Sequence, residues 1–163
     1  MDRPINVLFL CTGNSARSIL AECYLNQAGS GRWRGLSAGS FPRGTVHPLA
    51  LATLRDAGIE AGRVRSKSWD EFARAGAPQI DIVITVCDGA AGEVCPFFPG
   101  GPVKAHWSFP DPAAIDGSEH ERRAAFDNVF AGVRRAIDRM IALPIDKIEG
   151  AELSRRLNAI MAG

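Results

Sequence analysis

The sequence predicts an α/β domain: three layers, α/β/α, around a four-stranded parallel sheet. Strand-like and helix-like stretches alternate along the chain, which a parallel sheet with helical crossovers requires. The two clearest strand candidates, residues 5–10 and 80–86, are apolar runs rather than alternating ones, as expected of strands covered on both faces. The helical stretches carry an apolar stripe and stop at glycine or proline.

The elements follow in order. Residues 5–10 form the first strand, and 15–29 a helix with Ile19, Leu20 and Cys23 on one stripe. Residues 35–39 make a short second strand. Residues 46–57, "VHPLALATLRDA", are a helix with Pro48 in its first turn and Gly58 as its stop. "RSKSWDEF" at 65–72 is a loop leading into a short helix. "IDIVITV" at 80–86 is rich in β-branched residues and reads as the third strand. Residues 103–109 supply a fourth, and 119–143 a long amphipathic helix. Residues 1–143 thus form the domain. Beyond Pro144, residues 144–163 are a helical extension whose Leu153, Leu157, Ile160 and Met161 share an apolar face. That face packs on the same domain in a monomer; a dimer contact is the alternative.

A chain of 163 residues with 46% hydrophobic side chains suits one domain with a sizeable core. Its 19 basic and 18 acidic side chains leave a formal net charge of +1. Nothing there favours nucleic acid or an anionic membrane. No apolar stretch approaches the roughly 18 residues of a membrane span, and the N-terminus lacks a signal peptide's cleavage site. The expected location is the cytoplasm. Four cysteines there are more often reactive or buried than a disulfide framework.

Ligand sites of parallel sheets lie beyond the C-terminal strand ends. Cys11 follows one such end and Cys87 another, and Asp111 lies in the loop after the fourth strand. Cys11 and Arg17 are separated by five residues, T-G-N-S-A. A loop of that kind, between strand and helix, turns successive backbone N–H groups inward, with Gly13 and Asn14 tolerating positive φ. It forms a nest for an anion, and Arg17 offers a two-pronged fork to a tetrahedral oxyanion. The same field favours the Cys11 thiolate, and Ser18 is placed to hydrogen-bond the sulfur. The bland alternative is a buried strand-end cysteine beside an unrelated surface arginine.

Cys11–Arg17 with Ser18 resembles the C-x5-R-S loop of the low-molecular-weight protein tyrosine phosphatase fold. The longer "CTGNSARSILAE" is similar to the arsenate reductases built on it, of the three-cysteine, thioredoxin-coupled type. "LSAGS" at 36–40, "TVCDGAAGEVCP" at 85–96 and "AHWSFPDPA" at 105–113 extend the likeness. The resemblance implies reduction of arsenate to arsenite, for arsenic detoxification. Cys11 attacks arsenate within the loop Thr12, Gly13, Asn14, Ser15, Ala16, Arg17 and Ser18. Cys87 then attacks Cys11, and Cys95 takes the disulfide over. It implies no bound cofactor and no metal, but an external thiol donor, thioredoxin or glutaredoxin with glutathione. Asp111 corresponds to the general acid. A phosphatase using Cys11, Arg17 and Asp111 is the alternative, and the Cys87/Cys95 pair argues against it, because hydrolysis has no use for that pair.

Further positions are weaker. Ala113 and Ala114 stand where phosphatases of this fold place aromatics, which favours a small inorganic substrate. Position 16 is alanine where some relatives have a second loop cysteine. Cys23 is read as core. Asn14, Glu22 and Ser37 match three ligands of a potassium ion found in some relatives. The fourth position aligns with Lys67, whose ammonium either replaces the cation or is solvated. His47, His106 and His120 show no ligand spacing and receive no role.

Overall fold

Seven consecutive buried residues, Ile5–Cys11, form the strand β1 around which the sheet is assembled. The computed structural model describes residues 3–91, 98 and 100–162. In it β2 (Trp33–Gly39), β3 (Ile82–Thr85) and β4 (Val103–His106) join β1 in an all-parallel sheet of order β2-β1-β3-β4. The helices are α1 (Arg17–Ala28), α2 (Pro48–Asp56), α3 (Asp88–Ala91), α4 (Glu119–Ile141) and α5 (Gly150–Ala159). The chain leaves β1 for β2 on one flank and returns to β3 on the other. The strand order therefore reverses between β1 and β3, and a crevice opens there at the C-terminal ends.

Alternation along β1 divides the core. Ile5, Val7, Phe9 and Cys11 pack with buried residues of α1, α2 and α4, whereas Leu8 and Leu10 face Leu36, Ala38, Phe72, Ile80, Val83 and Phe98. The Cys11 side chain thus belongs to the face that α1 covers. On that face α4 buries Phe126, Val129, Phe130, Val133, Ala136, Ile137 and Met140, a stripe at three- and four-residue spacing. Ser118 and Glu121 close its first turn as a reciprocal capping box.

The boundaries differ from the sequence reading where tertiary bonds intervene. α1 begins at Arg17 rather than 15, because Asn14 adopts φ 44° and the preceding residues wrap as a loop. β2 starts at Trp33, whose buried ring extends the strand before Gly35. β4 ends at His106; Trp107 still donates to Thr85 O (2.8 Å), after which the chain turns at Phe109 and Pro110. The single turn α3, directly after Cys87, is absent from the sequence reading.

Helix α5 lies along β4. Ser154 Oγ donates to Lys104 O (2.6 Å), His106 N donates to Asn158 Oδ1 (2.8 Å), and Trp107 Nε1 donates to Leu157 O (2.8 Å). Leu153, Leu157 and Ile160 are buried in the main core, while Met161 is exposed. Among the described residues no helix is long and apolar enough to cross a membrane. Leu157→Ala is expected to lower unfolding stability by about 2–5 kcal/mol, as for other buried leucines. Urea unfolding should still show one transition; a midpoint unchanged from wild type would detach α5 from the core.

Candidate active site

The loop between β1 and α1 is built by turning its carbonyls outward. Thr12 O accepts from Phe41 N (3.0 Å), Gly13 O from Arg43 N (2.9 Å) and Ser15 O from His47 N (2.9 Å). A planar trans peptide places the next N–H opposite its carbonyl. Each outward carbonyl therefore aims the N–H of Gly13, Asn14 or Ala16 into the loop. Asn14 holds the turn: its Oδ1 accepts from Lys67 N (2.9 Å) and its Nδ2 donates to Ser18 Oγ (2.8 Å). Gly39 is required nearby, since a Cβ there would stand 2.5 Å from Thr12 O.

Cys11 and Cys87 meet at the mouth of this loop. Both are free thiols and both are 4% exposed. Leu10 pairs with Thr85 across β1 and β3, and Val86 N donates to Leu10 O (2.8 Å), so the two chains leave the sheet together. Thr12 N donates to Cys87 Sγ (3.3 Å), and the Thr12 hydroxyl lies 3.6 Å from the same sulfur. A hydrogen bond joins the two thiols. That bond, followed by burial, raises the Cys11 thiol, against the charge of Arg17 and the Gly13 N–H, which lower it. The sequence expectation of a thiolate at Cys11 thus meets a second sulfur that it could not include. When one sulfur of such a pair ionises, the other holds its proton.

Arg17 lines the cleft beside the loop. Its Nη1 donates to Phe109 O (3.0 Å), and Nη2 stands 3.9 Å from Asp111 Oδ2. Nε is buried without a hydrogen-bond partner among the described residues. A buried guanidinium N–H left unpaired is costly, and an oxyanion in the nest would satisfy it. Asp111 is fixed by Ala113 N, which donates to Oδ1 (3.0 Å). A cleft of about 260 Å³ opens between the loop, Asp111 and Ala113, with Phe41 and Arg43 at its rim. Such a volume suits a small tetrahedral anion.

Behind the loop sits a buried ion pair. Lys67 Nζ is 3.8 Å from Glu22 Oε1, and its side chain is 8% exposed. Ser37 Oγ donates to Glu22 Oε1. Burial raises the Glu22 carboxyl, against Lys67 and Ser37, and burial lowers the Lys67 ammonium, against Glu22. The residues do not fit a potassium ion, because an ammonium already supplies the positive charge beside Glu22. Lys67 is therefore not solvated. Cys23 packs in the core, and burial, followed by the Glu22 charge, pushes its thiol up to about 12.

The structure therefore brings together Cys11, the loop Thr12–Ser18, Cys87 and Asp111. Cys95 lies outside the described residues. Sequence reasoning missed His106 and Asp88, whose side chains meet beside Cys87 at 2.9 Å. The available signal was position: His106 ends β4 on the same sheet edge as Cys87.

Comparison with known proteins agrees with this geometry. Residues 6–152 match the low molecular weight phosphotyrosine protein phosphatase family. The chain belongs to that family. Within it, the chain is 37% identical over 133 residues to an arsenate reductase of Bacillus licheniformis, covering 82% of this chain and 92% of the relative. It is 37% identical over 123 residues to an arsenate reductase of Bacillus subtilis, covering 76% and 85%. A solved arsenate reductase in its reduced state superposes with a TM-score of 0.66 at 27% identity, covering 85% of this chain and 97% of that one.

The family loop and its supporting ion pair give two expectations. Inorganic phosphate should raise the melting temperature of the wild type through binding linkage. In Arg17→Lys, which lacks the planar fork, the dissociation constant should rise at least about tenfold; an equal shift in both proteins would remove Arg17 from the site. Lys67→Met leaves Glu22 buried without its cation and pushes its already raised pKa further up. A carboxyl raised on folding contributes stability below its unfolded pKa and loses it as pH rises through the folded one. The variant should therefore be closer to wild type at about pH 5 than at about pH 8. Adding Glu22→Gln should remove that pH dependence in thermal melts, and a difference independent of pH would contradict the assignment.

Proposed function

We propose that the protein reduces arsenate to arsenite by a thiol relay, drawing electrons from an external thiol donor in the cytoplasm. The observation that carries this reading is the second sulfur: Cys87 is hydrogen-bonded to Thr12 within the loop that positions Cys11. A hydrolase discharges its intermediate with water and needs no second thiol. An identity of 37% to an arsenate reductase over 82% of this chain supports the same reading.

An arsenate dianion enters the nest opposite the Arg17 Nε and Nη2 groups, and a proton passes from the thiol pair to it or to solvent. The Cys11 thiolate attacks arsenic, forming a sulfur–arsenic bond, and an arsenate oxygen leaves as water with a proton from Asp111. Arsenic remains pentavalent. The Cys87 thiolate then attacks Cys11 Sγ, and the sulfur–arsenic electron pair departs with arsenic as arsenite. Two thiols are oxidised to the Cys11–Cys87 disulfide, and arsenic gains two electrons. Cys95 next attacks Cys87, releasing Cys11 as a thiol and leaving a Cys87–Cys95 disulfide. Two electrons from thioredoxin, or from glutaredoxin with glutathione, return it to the dithiol. The unit doing this work is residues 1–143, with 144–163 as an extension of the same domain, acting as a monomer.

Variants separate the relay from hydrolysis. Cys11→Ser should lose arsenate reduction, because a serine hydroxyl is not ionised here. Cys87→Ser should stop arsenite release yet retain slow hydrolysis of an aryl phosphate through Cys11, Arg17 and Asp111. Cys95→Ser should release about one arsenite per enzyme and stop as a Cys11–Cys87 disulfide, detected by peptide mass mapping. Normal turnover of Cys95→Ser with a protein donor would exclude the third cysteine from the relay.

A further inference from the structure

Three side chains around Cys87 form a chain of hydrogen bonds that takes no part in the relay chemistry. Thr85 Oγ1, two residues before the cysteine, lies 2.6 Å from His106 Nδ1. Asp88 Oδ1, one residue after it, lies 2.9 Å from His106 Nε2. One imidazole thus bridges both shoulders of the Cys87 turn. The backbone that carries the ring is held from outside, since the main-chain N–H of His106 donates to Asn158 Oδ1 on α5 (2.8 Å).

A carboxylate only accepts, so Nε2–H donates to Asp88, while Nδ1 and the Thr85 hydroxyl share the second hydrogen bond. The His106 hydrogen bond, then one from Ser108, with a smaller contribution from the Arg17 charge, holds the Asp88 carboxyl below its ordinary range. The Asp88 side chain is 81% exposed, so hydrogen bonding rather than burial keeps it in place. Such a contact can open and reclose. The residue that follows, Gly89, stands where a Cβ would lie 2.9 Å from Thr12 Oγ1, so the first turn of α3 rests on the anion loop. Glycine there gives the backbone no conformational preference for staying put.

We propose that His106 is a positioning residue: it clamps the Cys87 turn so that the sulfur stays beneath the Thr12 amide and against Cys11. The inference rests on the relay reading for its purpose, and on the Thr85–His106–Asp88 bridge for its geometry. It also gives α5 a route to the reacting sulfur, through Asn158 and His106.

The test uses the full chain, reduced and free of arsenate, with iodoacetamide as probe and peptide mass mapping to follow each cysteine. His106→Leu removes both ring bonds, whereas His106→Gln retains an amide donor near the position of Nε2. Loss of the clamp should make Cys87 alkylate about three- to fivefold faster relative to Cys11, the scale of one exposed charge-assisted bond. His106→Gln should restore most of the wild-type ratio, and Asp88→Ala should act like His106→Leu without adding to it. Should His106→Leu fail to fold, as judged by its thermal melt, Asp88→Ala carries the test from the other end of the bridge. An unchanged Cys87-to-Cys11 ratio, or a glutamine variant as reactive as the leucine one, overturns the clamp. Because the ratio is read without arsenate, wild type that alkylates as expected but yields no arsenite would refute the relay alone. Normal arsenite production with an unchanged ratio would refute the clamp alone.

Discussion

The register between β1 and β3 is the constraint on which the site depends. With Leu10 opposite Thr85, the chain leaves both strands at the same height, and each then delivers a cysteine to one crevice. A slip of one residue would send Cys11 to the opposite face of the sheet, away from α1 and the loop. The paired apolar faces forbid that slip, since Val7 and Phe9 would exchange places with Leu8 and Leu10. Stability of the core and proximity of the sulfurs are therefore one requirement.

The anion loop shows how polar backbone is managed where water is scarce. Its carbonyls are taken by the chain at 41–47, which frees the N–H groups for a ligand. Asn14, at φ 44°, binds Lys67 N on one side and Ser18 on the other, so the strained residue is fixed from two directions. Lys67 then meets Glu22, and Ser37 completes the carboxylate's contacts. A buried pair of this kind adds little net stability over an apolar one, yet breaking it is costly. Its place directly behind the loop makes it a support for Asn14 rather than a reservoir of binding energy.

The parts of the fold and site written locally were legible in the sequence. Cys11, Gly13, Asn14 and Arg17 lie within seven residues, and strand–loop–helix order is enough to predict what they enclose. Cys87 and Asp111 were legible as strand-end residues, because parallel sheets gather such ends on one edge. His106 was not, since its partners lie 21 and 18 residues away on separate elements. Nor was the ionisation of Cys11, which depends on a sulfur 76 residues distant as much as on its own loop. The helix boundary at Arg17 rather than 15 likewise followed from tertiary bonds to Asn14 that no local propensity encodes.

Strand β4 is the last in the sheet, and an edge strand presents unpaired peptide groups to the solvent. Here Ser154 takes the carbonyl of Lys104, and Asn158 takes the amide of His106. Side chains four residues apart on one helix thus stand in for the backbone of a fifth strand. Lateral growth of the sheet by pairing with another molecule is blocked at this edge without a bulge, a proline or an inward charge.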